Sequence, residues 1–148
     1  MNAKLNAFLA ERENMPFEWG EHDCCLFVCD WVLCASGKDL GSSFRGKYRT
    51  KKGAFKQLFK HGLNDVESIF KASLNTPINP LYAKRGDIAL VEHHDELVGG
   101  IIYINQVMCV GETGLVTLPF ETVECVYSLS AFIKAKQHKA QWVSKADE

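Results

Sequence analysis

Long apolar runs are missing from this chain of 148 residues. No stretch approaches the roughly 18 to 20 residues that a membrane-crossing helix needs, so no membrane span is expected. Met1-Asn2-Ala3-Lys4 leads into polar sequence without the apolar core of a signal peptide, so no secretory leader is expected either. Net charge is nearly absent, at −1, which removes the pull toward nucleic acid or anionic lipid. Two short basic clusters, Arg45 to Lys52 and Lys134 to Lys139, are interrupted and read as solvated faces. Internal repeats and low-complexity segments are lacking, which excludes solenoid and fibrous architectures. Cysteine pairs separated by two residues are lacking too, so neither a zinc ribbon nor a dithiol redox motif is expected, and no metal or other cofactor.

Apolar residues make up 47% of the chain and charged residues 24%, the proportions of an ordinary globular domain. The length suits one domain spanning 1–148, with its core over about 17–127, an N-terminal helix over 2–13 and a C-terminal extension over 128–148. Four of the six cysteines (Cys24, Cys25, Cys29, Cys34) share one apolar run that reads as a single helix. Neighbours on one helix rarely pair, so the thiols are expected to be reduced.

Leu5, Phe8 and Leu9 recur at helical spacing within the first helix, which Pro16 and Gly20 end. Asp23 is suited to cap the next helix, Cys24 through Ala35, which Gly37 stops. Being apolar on nearly every side, with Asp30 as its interior charge, this helix is predicted to run through the core. Gly41 to Lys52 reads as a loop, Gly53 to His61 as a helix, and Asn64 with Glu67 as a capping box opening a short helix toward Ala72. Phe27, Trp31, Phe55 and Phe59 sit at helical spacing and are predicted to be core. Beyond the linker marked by Pro77 and Pro80 the period changes to that of strands. These are Asp87 to Glu92, Val98 to Ile104, Val107 to Val110, Leu115 to Leu118 and Val123 to Tyr127, with a turn at Asn105-Gln106. Ser130 to Val143 reads as a terminal helix carrying Phe132, Ile133 and Trp142. Helices first and antiparallel strands second make an α+β domain in which the sheet packs on the buried helix.

The stretch richest in chemistry is Phe17-Glu18-Trp19-Gly20-Glu21-His22-Asp23-Cys24-Cys25-Leu26-Phe27. A cysteine in the first turn of a helix has its thiolate stabilised by free backbone N–H groups and the helix dipole, and so is placed to act as a nucleophile. The preceding loop can supply oxyanion donors. The plainer reading is a buried structural thiol. A zinc site built from His22 and the neighbouring cysteines fails on geometry, because Cys25 and Cys29 share a helix face from which Cys24 is turned away by about 100°.

Trp19-Gly20 followed by Asp23-Cys24 and an apolar helix resembles the first signature of the NlpC-type, papain-like cysteine peptidases. Arg85-Gly86-Asp87-Ile88-Ala89-Leu90-Val91 is similar to their second, and Val98-Gly99-Gly100-Ile101-Ile102-Tyr103-Ile104 to their third. Gly37-Lys38-Asp39, Gly46-Lys47-Tyr48 and Gly114-Leu115 with Leu118-Pro119 resemble a set of phage-encoded proteins of that superfamily associated with tails. The resemblance implies a central buried helix packed on a small antiparallel sheet or half-barrel, with Cys24 as nucleophile and Trp19, Gly20 and Asp23 shaping the binding site. It implies phage tail proteins and peptidoglycan peptide as partners, without nucleic acid, and a place in the virion tail or, during assembly, the bacterial cytoplasm.

One departure weighs against hydrolysis. The family's general base is a histidine just before the valine-glycine pair, and here Leu97 and Val98 stand there. Neither accepts a proton, so the Cys–His pair lacks its base. His22, His93 and His94 are the candidates to replace it, with Glu112 and Asp95 as orienting groups. Three readings follow: an inert descendant serving as a structural tail-tip component, an active peptidoglycan-cleaving endopeptidase or amidase, and a module that binds a peptide or glycan without cutting it.

Overall fold

A computed structural model describes residues 2–146, with side chains through residue 137. Leu5, Phe8 and Leu9 form the buried face of the first helix, α1 (Asn2–Arg12), as their spacing predicts. The cysteine-rich run becomes α2 (Leu26–Ser36), in which Leu26, Phe27, Val28, Cys29, Trp31 and Val32 are all 0% exposed. The regular helix begins two residues beyond the predicted start at Cys24, and the Asp23 carboxylate is the reason. It turns inward to accept the N–H groups of Cys25 at 3.1 Å and Leu26 at 2.9 Å. The Asp23 carbonyl in turn accepts from Phe27 N–H at 2.9 Å, so Cys24 and Cys25 lie in an opening turn tied to Asp23. At the far end Gly37, with φ of 80°, donates its N–H to the Leu33 carbonyl as the left-handed cap.

The third helix, α3 (Lys51–Lys60), starts two residues before the predicted Gly53, because Thr50 accepts the Gly53 N–H and caps it. Its aromatic residues correct the sequence reading: Phe55 is 40% and Phe59 67% exposed, whereas Phe27 and Trp31 are core. A helix carrying Lys51, Lys52, Lys56 and Lys60 lies at the periphery, and it buries only Leu58. The capping box of α4 (Val66–Ser73) is Asp65 with Ser68, one residue beyond the predicted Asn64 and Glu67. Asp65 reaches the Ser68 N–H at 2.8 Å, while Glu67 pairs with Lys71 at 3.0 Å one turn later.

The five strands match their predicted positions closely: β1 (Ile88–His93), β2 (Glu96–Tyr103), β3 (Gln106–Val110), β4 (Leu115–Pro119) and β5 (Val123–Tyr127). They form one antiparallel sheet in the order β4-β3-β2-β1-β5. Ile88, Leu90, Ile101 and Tyr127 face α2 in the main core. Ala89, Val91, Ile102, Val107, Cys109 and Val126 form a second core on the other face, under Ile78, Leu118 and Phe120. Being buried on both sides, β1 opens as an unbroken apolar run, Ile88 to Val91, rather than an alternating one. The terminal helix, α5 (Leu129–Ala146), brackets the predicted Ser130 to Val143; the expected Trp142 contact lies outside the described side chains.

Two side chains, Trp31 and Asp87, lock helices to the sheet. Trp31 donates its ring N–H to the Gly86 carbonyl at 2.8 Å. The buried Asp87 carboxylate accepts from Lys84 N–H at 2.8 Å and Leu129 N–H at 3.1 Å, fixing the start of β1 and the start of α5 together. The domain is therefore α+β, with α2 as the element on which both α1 and the sheet pack. Among the described residues no helix is long and apolar enough to cross a membrane.

Candidate functional site

A groove of about 250 Å³ opens beside the start of α2. Cys24 and Trp19 line one side, Phe44 and Tyr48 come from the loop before α3, Phe55 and Leu58 from α3, Ile69 from α4, and Leu97 and Val98 from β2. The loop is held by charge: Arg45 donates to Asp39 at 2.8 and 3.2 Å and also to Asp30 on α2. Asp39 is pulled below the usual carboxylate range by that Arg45 bond. The loop is also held by backbone contact, because Gly46 N–H bonds the Gly20 carbonyl at 2.8 Å. Gly20 has φ of 85°, and a Cβ there would stand 2.0 Å from the Tyr48 carbonyl oxygen, so Trp19-Gly20 fits this turn only with glycine.

Asp23, 1% exposed, is the hub beneath the groove. Its carboxylate accepts four hydrogen bonds: Gly20 N–H at 3.0 Å, Tyr48 O–H at 2.5 Å, and the Cys25 and Leu26 N–H groups already described. Burial, with the Asp23 charge beside it, holds the Tyr48 phenol well above its ordinary pKa. Asp23 thus both lines the groove and ties its walls together.

Burial pushes the Cys24 pKa up to about 12, and the Asp23 charge adds to the rise; a hydrogen bond from Gly99 N–H to the sulfur opposes it less strongly. The sequence predicts the reverse, a thiolate stabilised by a helix start. Burial overturns that expectation first, and Asp23 adds to it by occupying free N–H groups of the first turn and bringing its own negative charge to the sulfur. Cys25 is raised too, by its bond to the Cys29 thiol and by burial, and is inert.

None of the three candidate histidines lines the groove. His22 is 3% exposed, packs edge-on to Phe27 at 6.0 Å between ring centroids, and has no hydrogen-bond partner for either ring nitrogen. Its pKa is lowered by burial and then by Arg12, so its surroundings belong to the α1 side. His93 is the last residue of β1, not part of the turn, and His94 with Asp95 forms the two-residue hairpin at φ of 52° and 64°. The His93 and His94 rings lie against each other at 4.0 Å. Glu112 does not line the groove either; its carbonyl accepts the Phe17 N–H at 3.1 Å. From β2 the groove is lined by Leu97, 37% exposed, and Val98, neither of which accepts a proton.

Several groove residues escape a reading of the sequence. Lys51 and Glu96 form an ion pair between α3 and β2, half-exposed on both sides, and nothing in their local spacing brings them together. Phe55 looks like core from its helical spacing, yet it forms a wall of the groove. Tyr48 alone carried a signal, in its Gly46-Lys47-Tyr48 context. Among the described residues no cluster of three or more His, Cys, Asp or Glu side chains is placed to hold a metal ion.

No curated protein matches the chain. A family model described as a domain of unknown function, DUF6950, matches residues 1–129. That span takes in every element from α1 through β5 and therefore the whole groove. With all but the last helix inside the match, the chain belongs to the DUF6950 family.

Proposed function

We propose that this chain is a catalytically inert relative of the NlpC-type, papain-like cysteine peptidases, kept as a structural component of a bacteriophage tail tip. The fold part of the reading is supported by a cysteine at the leading end of an interior helix and an antiparallel sheet whose second strand passes directly over it. A Cβ at Gly99 would stand 2.5 Å from the Cys24 carbonyl oxygen, which is how closely β2 and that turn approach. The tail part rests on the resemblance of the Gly37-Lys38-Asp39, Gly46-Lys47-Tyr48 and Gly114-Leu115 segments to phage tail-associated proteins.

The single observation that carries the loss of catalysis is Leu97. Nucleophilic attack by a thiol needs a base within hydrogen-bond reach and near-neutral pKa. An aliphatic side chain fills that place, no imidazole among the described residues borders the groove, and the thiol holds its proton up to about 12. One feature favours the active peptidase or amidase reading: Cys24 remains on the groove wall with the Gly99 N–H directed at its sulfur. Incubation of the protein with purified peptidoglycan sacculi separates the two. The expected release of free amino groups equals that of a Cys24→Ala control; release that depends on Cys24 overturns the inert reading.

A further inference from the structure

The register of β2 leaves part of its backbone unused at the groove. Ile102 donates its N–H to the Asp87 carbonyl at 2.9 Å and accepts from Gly86 N–H at 2.8 Å, so its peptide groups point toward β1. With a repeat of two, Gly100, Val98 and Glu96 also point toward β1, and Ile101, Gly99 and Leu97 point the opposite way. On that opposite side β3 pairs only with Ile101, Ile102 and Tyr103. Gly99 packs directly on the Cys24 turn, where an added Cβ would stand 2.5 Å from the Cys24 carbonyl oxygen. Leu97 is left with an N–H and a C=O that no strand takes up, beside a groove that its own side chain lines.

The groove itself selects among ligands. Its volume of about 250 Å³ falls below the ~300 to 1,000 Å³ of small-molecule sites and suits one bulky side chain. Its walls are Phe44, Tyr48, Phe55, Leu58, Ile69 and Leu97, too apolar to satisfy the hydroxyl groups of a sugar. At the mouth Lys51 and Glu96 cancel each other, and Asp65, which caps α4, adds a negative charge with no cationic partner among the described residues.

We infer that this groove holds an extended polypeptide segment of a partner protein, pairing with the Leu97 backbone and seating one large apolar side chain beside Phe55, with a lysine or arginine next to it. The mode is strand addition with a side-chain anchor. It rests on the non-hydrolytic reading above only in that the segment stays whole.

The probe is the blocked hexapeptide acetyl-Thr-Lys-Val-Phe-Thr-Val-amide, in which Lys and Phe share one face of the extended strand, with binding followed by calorimetry on the full chain. It is expected to bind at least about tenfold tighter than its Phe-to-Ser analogue, since an anchor's burial is worth more than one decade of affinity. Methylating the phenylalanine nitrogen is expected to weaken binding about fivefold, the worth of one backbone hydrogen bond, and Glu in place of Lys to weaken it as well. Phe55→Ala and Leu97→Ser, each with an unchanged circular dichroism spectrum, are both expected to lose about tenfold. Equal affinity for the Phe and Ser peptides, or indifference to N-methylation, overturns the proposal. So does tighter binding of chitotriose, or a dimer of the chain that Phe55→Ala dissolves, which would assign the face to a glycan or to a second copy. Mass spectrometry of the recovered peptide keeps the two readings apart: a cleaved peptide that nonetheless binds sinks the non-hydrolytic reading and leaves the docking intact.

Discussion

A thiol at the start of a helix becomes a thiolate by drawing on the unpaired N–H groups of the first turn, and Asp23 has taken those groups first. At pH 7.5, a thiol with a pKa of about 12 is ionised some three orders of magnitude less than one at ~8.5. The stronger nucleophilicity of a high-pKa thiolate recovers part of this, leaving alkylation about a hundredfold slower than at an ordinary accessible cysteine. Iodoacetamide with peptide mapping is therefore expected to label the exposed Cys34 first and Cys24 far behind it. Replacing Leu97 by His places an imidazole on the groove wall and is expected to speed Cys24 labelling at least about tenfold; Cys24 labelling faster than Cys34 in the unaltered chain would rule out a protonated thiol. His22 gives a second test. It is faced by Arg12 from α1, Asp30 from α2 and Asp23 from the opening turn, and burial keeps it neutral. Because its folded pKa lies below the ordinary value of about 6.5, the unfolded chain binds the extra proton. Stability from this site is full above that pH and is lost as pH falls through it. Urea midpoints are expected to drop between pH 7.5 and 5, and the drop to shrink in His22→Phe, which strands no polar atom. An unchanged pH slope in that variant would show that His22 is not the group responsible.

At the scale of elements, the closest approach is β2 on the opening turn of α2. An alanine Cβ at Gly99 would meet the Cys24 carbonyl oxygen at 2.5 Å and Val28 Cγ2 at 2.9 Å, and the first of these is backbone that cannot swing aside. Gly99→Ala is expected to cost about 1 to 3 kcal/mol in denaturant unfolding. A loss below about 0.5 kcal/mol, the scale of an ordinary surface substitution, would mean that strand and turn separate easily. The elements themselves were largely readable in advance, for physical reasons. Leu5, Phe8 and Leu9 show the helical period, Gly37 marks a left-handed stop, and the strands from Ile88 onward are short apolar runs between turns. Boundaries slipped where a side chain could reach more than one donor. Asp23 moved the start of α2, Thr50 that of α3, and Asp65 took the cap assigned to Asn64. The groove was half legible. Trp19, Gly20, Asp23 and Cys24 are contiguous enough to be noticed together, and Leu97 stands out by the histidine it replaces, whereas Phe55, Leu58 and Ile69 converge only through the tertiary fold. Phe55 has the spacing of a core residue, and spacing alone does not say whether a core or a cleft lies opposite. Of the two readings of Cys24, an activated nucleophile and a buried structural thiol, its surroundings fit the second, because burial and the inward turn of the Asp23 carboxylate, which the sequence does not show, outweigh the helix dipole, which it does.

For the whole molecule the question is whether the helices and the sheet are one cooperative unit. The face of the sheet carrying Ile88, Leu90, Ile101 and Tyr127 has no cover but the helices, so separating the halves would expose both. The joint is narrow in polar terms: the Trp31 ring N–H on the Gly86 carbonyl is a buried bond at 2.8 Å bridging α2 to the turn that opens β1. Trp31→Phe keeps an aromatic ring in the core and strands that carbonyl, at a cost of about 1 to 3 kcal/mol, to which the smaller ring adds a cavity. If the halves are coupled, the loss appears everywhere at once. Amide hydrogen exchange is then expected to quicken equally in α2 and in β1 and β2, because in a two-state domain of this size the slowest amides all exchange through global unfolding. Faster exchange confined to α1 and α2, with β1 and β2 still protected, would show that the sheet stands without the helix, supported by its second core around Val91, Ile102 and Val107. Uniform loss would identify α2 as the element whose packing sustains both the sheet and the groove.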